Sequence, residues 1–491
     1  MQWVLAAMVL APLFGGIAIS FIPARAKGVA RWVALALSSV ILVAAVWLWA
    51  SFDSAAGMQF VMNLVWIPGL RTAFHLGVDG LSLPMVFLTA LLSVLAVIAS
   101  RNISDRAPQY FTLLLLLEAG LIGVFVSLDL ILFYLFWEVV LIPMYFLISI
   151  WGGANRVYAA LKFFIYTLAG SLAMLGGIIA LYLATGASTF DMAEIAVRSV
   201  TLPATVQLAI FIPIAIGLAV KVPIFPLHTW LPDAHVEAPT AVSVLLAGVL
   251  LKMGSYGFLR LGPTLLPEGL KAMLPTIGVL AVISIVYGAA VALMQTDMKK
   301  LVAYSSISHM GYVMLGIASG TTAGLMGAQV QMFSHGLIAG LLFLLVGMVY
   351  ERAHTREMSA FGGIAKVVPV IAGTLVFASF ASLGLPGMSG FVGEFMVIVG
   401  TLAGGLSHPA VYAAIAGLAV MLTAGYLLWM LRRVAFGPLN EERADLADMT
   451  PTEGLSVAPL CALIVFFGVY PQALMSVVSA ANQVVVHALG G

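Results

Sequence analysis

The sequence predicts an all-α, polytopic membrane protein of about fourteen transmembrane helices. Three observations carry this expectation. Of its 491 residues 63% are hydrophobic and only 8% charged, whereas a soluble domain carries about 25% charged residues. Fourteen apolar runs, bounded by charged, Gly or Pro clusters, approach the length of about 20 residues that crosses a bilayer. The basic residues alternate in density from one connecting segment to the next.

The runs fall near 2–22, 32–50, 80–100, 109–128, 130–150, 158–185, 205–230, 240–260, 272–294, 300–319, 322–350, 367–404, 410–436 and 454–480. The first is followed, not preceded, by basic residues, so it reads as a retained helix and not a cleaved signal peptide. The seventh and twelfth are broken by Pro223 and Pro386, and the segment TFDMAEIAVRSV before the seventh is amphipathic, suited to an interface. Segments after odd-numbered runs carry fifteen basic residues, from Arg25 and Lys27 to Arg443, against four (Arg71, Arg198, Arg260, Lys271) on the other side. The positive-inside rule then puts both termini on the non-cytoplasmic side.

Runs 4–8 and 9–13 read as two inverted five-helix repeats, each with its fourth helix broken by proline. The chain divides accordingly into 1–108, N-terminal helices; 109–261, first repeat; 262–436, second repeat; and 437–491, a cytoplasmic loop and helix 14.

Charges inside the runs are few. Lys221 is the only charge in TVQLAIFIPIAIGLAVKVPIF, two residues before Pro223. An ammonium at the centre of a membrane helix costs roughly 3 kcal/mol on insertion scales, so such residues are functional by default. Glu138 is likewise alone in LILFYLFWEVVLIPMYFLISI and is the natural partner for Lys221, either as a working pair or as a structural salt bridge. Lys252, on the next helix, shares a face with Ser255 and Tyr256 and lies too deep to snorkel readily. Glu394 follows the Gly- and Pro-rich LPGMSG, an unwound backbone tolerated at membrane depth where it lines protein or water.

Two of the eight histidines lie well inside runs. His309 shares a face with Ser305 and Tyr312, and His335 follows Gln331 by four residues; each is either a proton relay or a satisfied core residue. Glu118 either modulates the Glu138–Lys221 site or bonds a neighbouring helix, and Lys162 snorkels to the cytoplasmic surface. The segment HTWLPDAHVEAP offers His228, Asp233, His235 and Glu237, but their spacing matches no standard zinc motif, and it reads as an uptake loop on the cytoplasmic side. One cysteine, Cys461, excludes a disulfide framework and a cysteine-ligated iron–sulfur cluster. Neither a dinucleotide fingerprint nor a P-loop occurs, and a net charge of +1 argues against nucleic acid.

Three stretches resemble a known family: FWEVVLIPMYFLISIWGG (136–153), KVPIFPLHTWLPDAHVEAPTAVSVLLAGVLLKMGSYG (221–257) and YSSISHMGY (304–312). They look like the antiporter-like proton-translocating subunits of respiratory complex I, NADH:quinone oxidoreductase, and of the related multisubunit cation/proton antiporters. The resemblance implies fourteen helices with inverted repeats, and a proton path through Glu138, Lys221, Lys252, the histidines and Glu394. It implies no redox centre in this chain, with NADH, FMN, iron–sulfur clusters and quinone handled by partner subunits. It also implies neighbouring antiporter-like subunits as partners and a bacterial plasma membrane as location. An acid at Glu394, where other members carry lysine, resembles the subunit M (chain 4) type, as does the lack of a long lateral C-terminal helix. The alternatives are a subunit of a multisubunit sodium/proton antiporter and a structural spacer.

Overall fold

The computed structural model describes residues 2–23 and 26–490; Arg25 lies outside the described residues, as does the Lys27 side chain. The chain begins with α1 (Val4–Ser20) and α2 (Lys27–Ala50), then a hairpin of β1 (Gln59–Ile67) and β2 (Thr72–Val78). There follow α3 (Leu83–Ala99), α4 (Ala107–Val126), α5 (Leu130–Val139), α6 (Leu141–Trp151), α7 (Arg156–Thr185) and the short α8 (Met192–Ser199). Next come α9 (Ala204–Lys221), α10 (Trp230–Glu237), α11 (Thr240–Leu245), a π-helical turn Leu246–Leu250, and α12 (Leu251–Leu265). The second half holds α13 (Pro267–Leu293), α14 (Met298–Ser319), α15 (Thr322–Ala353), α16 (Pro369–Ser382) and α17 (Ser389–Leu402). The chain closes with α18 (Pro409–Val434), α19 (Pro451–Val469) and α20 (Gln472–Ala488).

Among the described residues, eleven helices are long and apolar enough to cross a membrane, counting α5–α6 as one and α11–α12 as one; α1, α3, α16 and α17 are shorter apolar helices. Three expectations need correction. The fold is not purely helical, because residues 59–78 pair as an antiparallel hairpin. The last run is two helices, with Pro471 and the turn after Val469 separating α19 from α20. Lys221 is the last residue of α9 rather than an interior one. The Ala219 carbonyl, which Pro223 leaves without its helical donor, accepts instead from the Ile224 amide at 3.2 Å, so it is not left for the lysine.

Burial separates the bundle into an inner row and an outer rim. The apolar windows of α11–α12 and α15 are 100% buried and that of α14 94%, whereas those of α2, α19, α7 and α18 are 28–39% buried. Lipid is as apolar as leucine, so helices in a membrane associate through close backbone contact at small residues. That is visible where α17 lies against α15: a Cβ on Gly400 would stand 2.1 Å from the amide nitrogen of Gly324, and one on Gly327 2.6 Å from that of Val397.

The connecting segments gather at two ends. At one end Arg101 and Arg352 both pair with Glu453 (3.3 and 2.8 Å), and Arg356 pairs with Asp297 (3.2 Å). At the other, His75 of the hairpin meets Asp191 at 2.5 Å and Arg260 meets Asp79 at 2.6 Å. Asp191 also caps α8, whose Met192 and Ile195 are buried while Val197 is exposed, as the amphipathic pattern predicts.

Candidate functional site

The break in α9 creates the first group. Lys221 ends the helix, where the carbonyl-rich terminus favours a cation. Its Nζ lies 5.6 Å from the ring centres of both Trp137 and Phe163, and aromatic faces attract a desolvated ammonium. The side chain is 2% exposed, and its nitrogen has no hydrogen-bond partner among the described residues. Glu138 stands at the end of α5, where Pro143 splits the helix and α6 restarts at Leu141. Its Oε1 is also buried without a partner. The two charges are not in contact, so the expected Glu138–Lys221 ion pair is not formed in this conformation.

The second group is continuous. The π-helical turn before α12 widens the helix by one residue per turn, and such turns re-aim side chains at functional sites. Lys252 Nζ lies 2.5 Å from the Ala247 carbonyl and 2.7 Å from His335 Nδ1 on α15. An ammonium only donates, so His335 Nδ1 accepts and the ring carries its proton on Nε2. The His335 and His309 rings are 5.5 Å apart between centres. His309, on α14, meets Glu394 Oε1 through Nδ1 at 2.9 Å and Ser382 Oγ through Nε2 at 3.2 Å. Gln331 donates to the same Glu394 oxygen at 3.1 Å. Lys252, His335, His309 and Glu394 are each 5% exposed or less.

Glu394 lies in the second turn of α17, beyond the break, whereas Lys221 lies before its own break. The two residues therefore do not occupy equivalent positions, and each sits toward the helix end whose dipole suits its charge. The unwound turn bears on the acid directly: at Gly384, with φ +78°, a Cβ would come 3.1 Å from Glu394 Oε2.

Other expected residues have local partners. Tyr312 donates to the Ala416 carbonyl and Ser305 to that of Val302, so neither reaches His309 by a hydrogen bond. Glu118 accepts from Ser38 of α2 at 2.6 Å, which is the neighbouring-helix alternative. Lys162 does not simply snorkel; it pairs with Asp233 at 2.6 Å. Asp233 and the other three groups of its segment diverge: Glu237 accepts from the Asn155 amide, His228 packs on Tyr287, and His235 stacks on Phe343 at 4.5 Å.

Two buried groups were not expected at depth. His235 falls in the segment expected to be a loop, but that segment forms α10, with Pro232 in its first turn, where a missing amide costs nothing. The ring is fully buried, and both nitrogens lack a hydrogen-bond partner among the described residues. Lys299 is one of the fifteen basic residues counted after odd-numbered runs, yet its Nζ reaches inward to the carbonyls of Ala238 (2.5 Å) and Val236 (3.3 Å). No local pattern signals this, because those carbonyls lie 61 and 63 residues earlier in the chain.

Fold and site define a helical membrane protein with a line of titratable side chains held away from lipid. Residues 127–427 match the sequence model of the family described as NADH:quinone oxidoreductase/Mrp antiporter, TM. The chain is 46% identical over 454 residues to NADH-quinone oxidoreductase subunit M of Rhodobacter capsulatus, covering 90% of this chain and 88% of that one. It is 40% identical to NAD(P)H-quinone oxidoreductase chain 4 1 of Nostoc sp., covering 99% and 91%. One chain in the structure of respiratory complex I from Thermus thermophilus with bound NADH superposes with TM-score 0.88 at 30% identity, covering 99% of this chain and 100% of that one. A chain of the Mrp complex from Dietzia sp. DQ12-45-1b gives TM-score 0.89 at 21% identity over 100% and 99%, a likeness of fold. The chain belongs to the NADH:quinone oxidoreductase/Mrp antiporter transmembrane family.

Proposed function

We propose that this chain is the M-type proton-translocating membrane subunit of an NADH:quinone oxidoreductase, with NADH, FMN, iron–sulfur clusters and quinone in partner subunits. The observation that carries the reading is the buried sequence Lys252–His335–His309–Glu394, made of three groups that exchange protons and an acid to receive them. A proton passed from Lys252 to His335 Nδ1 leaves that ring by Nε2. It crosses to His309 by rotation of a ring or through one water, and His309 hands it to Glu394. Glu138 and Lys221 are the control point: quinone reduction in partner chains changes their separation and thereby how readily Lys221 holds its proton.

The eleven long helices, together with α1, α3 and the broken α16–α17, make fourteen crossings. Residues 109–261 and 262–436 are two inverted repeats, each with one broken helix. The basic end of the bundle faces the cytoplasm of a bacterial plasma membrane, which leaves both termini on the other side. Neighbouring antiporter-like subunits are the partners within the complex.

Lys221→Ala tests the reading in inverted membrane vesicles: the complex assembles, and NADH-driven proton pumping is lost. Full pumping in a well-assembled Lys221→Ala complex sinks it. A sodium/proton antiporter subunit would instead exchange protons in vesicles given sodium and no NADH.

A further inference from the structure

Lys252 has two ways out of the first half of the molecule, and only one is lateral. Along α12, Lys252, Tyr256 and Arg260 recur at four-residue intervals and so share a face. Helical rise places Arg260 about 12 Å beyond Lys252, toward the end of the bundle that holds the hairpin. Just past Arg260 lies a cavity of about 450 Å³, bordered by exposed residues such as Gly57, Met58 and Val484. This face would therefore be a short route from Lys252 to the non-cytoplasmic side.

The groups on it are arranged so that no proton can pass. The Tyr256 hydroxyl donates its one hydrogen to the Phe125 carbonyl at 2.8 Å and accepts from Arg260 Nε at 3.0 Å. Its donor is thus committed to an amide oxygen that cannot relay it, and its acceptor side faces a guanidinium that does not release protons. Arg260 Nη2 is fixed on Asp79 Oδ1 at 2.6 Å, with side-chain exposures of 9% and 13%. Asp79 Oδ1 also accepts from the amides of Leu81 and Ser82, so its turn at the start of α3 is held without the arginine. A fixed cation in a narrow, desolvated passage repels hydronium, as charged constrictions do in other membrane pores.

We propose that Arg260, held by Asp79 and Tyr256, is an electrostatic plug that closes the first half toward the non-cytoplasmic side and turns the proton at Lys252 sideways to His335. The inference rests on the path proposed above. It is tested with the assembled complex in proteoliposomes, reading passive proton leak under an imposed pH gradient without NADH, and protons pumped per NADH.

Arg260→Gln raises the leak several-fold and lowers the pumped ratio, while Asp79→Asn, which keeps the cation, stays as tight as the parent. If unpaired Asp79 prevents assembly of Arg260→Gln, the double variant Arg260→Gln with Asp79→Asn, in which both charges are gone, takes its place and leaks likewise. Adding Lys252→Met to the leaky variant closes the leak. A tight Arg260→Gln complex overturns the plug, and so does a leak in Asp79→Asn equal to that of Arg260→Gln, since the pair would then act only as a mechanical tie. A leak that survives Lys252→Met overturns the route. Full pumping by Lys252→Met alone instead refutes the path, and leaves the leak measured on Arg260 readable by itself.

Discussion

Lys252 Nζ and His335 Nδ1 lie 2.7 Å apart on two helices that the sequence separates by 83 residues, and both side chains are buried. The contact joins the two halves of the molecule. It also constrains the chemistry, because an ammonium only donates and His335 Nδ1 must then accept.

Lys252→Arg separates charge from proton carriage. Arginine keeps the cation but does not deprotonate in a protein, whereas a buried lysine can release its proton. The expected outcome is an assembled complex whose NADH-driven quenching of a pH-sensitive dye in vesicles is as low as that of Lys252→Ala. Pumping near the parental level by Lys252→Arg would mean that Lys252 supplies only a field.

The unwound turn before α17 offers a matched pair of substitutions. Gly384 and Gly387 have φ of +78° and +92°, a region that costs a residue with a Cβ roughly 1–2 kcal/mol. A Cβ at Gly387 meets nothing within 4 Å, whereas one at Gly384 presses on the Glu394 carboxylate at 3.1 Å. Both Gly→Ala variants should melt at lower temperature in detergent by similar amounts. Pumping should fall only in Gly384→Ala; equal pumping in the two would show that the position of Glu394 is not set by that turn.

Acid should loosen the hairpin end of the molecule first through its aspartates. Burial by itself raises the Asp79 pKa, but the Arg260 charge and the hydrogen bonds from Arg260 and Ser82 outweigh it, leaving the group below its ordinary value of 3.8. Asp191 is also lowered: burial again opposes, and its hydrogen bond and attraction to His75 prevail. A carboxyl lowered in the folded state adds stability above its unfolded pKa, about 3.9, and loses it as pH falls through the folded value. Amide exchange at Ala193 and Ser82 should accelerate below about pH 4. In Asp79→Asn the Ser82 signal should lose that dependence while Ala193 keeps it.

Much of the architecture is legible in the chain because it is local. Pro386 with Gly384 and Gly387 must interrupt a helix wherever the segment lies, and it does so between Ser382 and Ser389. Hydropathy likewise places α4, α14 and α15 within a few residues of their expected bounds. The hairpin at 59–78 is not legible because neither strand alternates strictly: β1 is mostly exposed, and β2 is buried at three successive residues, Leu76 to Val78. The π turn before Lys252 is invisible for a similar reason, since one extra residue per turn leaves the apolar run unchanged.

The sequence by itself determined which charges are carried into the membrane and which helices break beside them, because insertion cost and backbone chemistry act through neighbours in the chain. Only the tertiary structure decided which of those charges meet. Helix rotation and tilt are set by packing between distant segments, such as the glycine contacts of α15 with α17. In the packed molecule His335 stands against Lys252 and His309 against Glu394, Glu138 and Lys221 remain apart, and Arg260 meets Asp79 at the far end of α12.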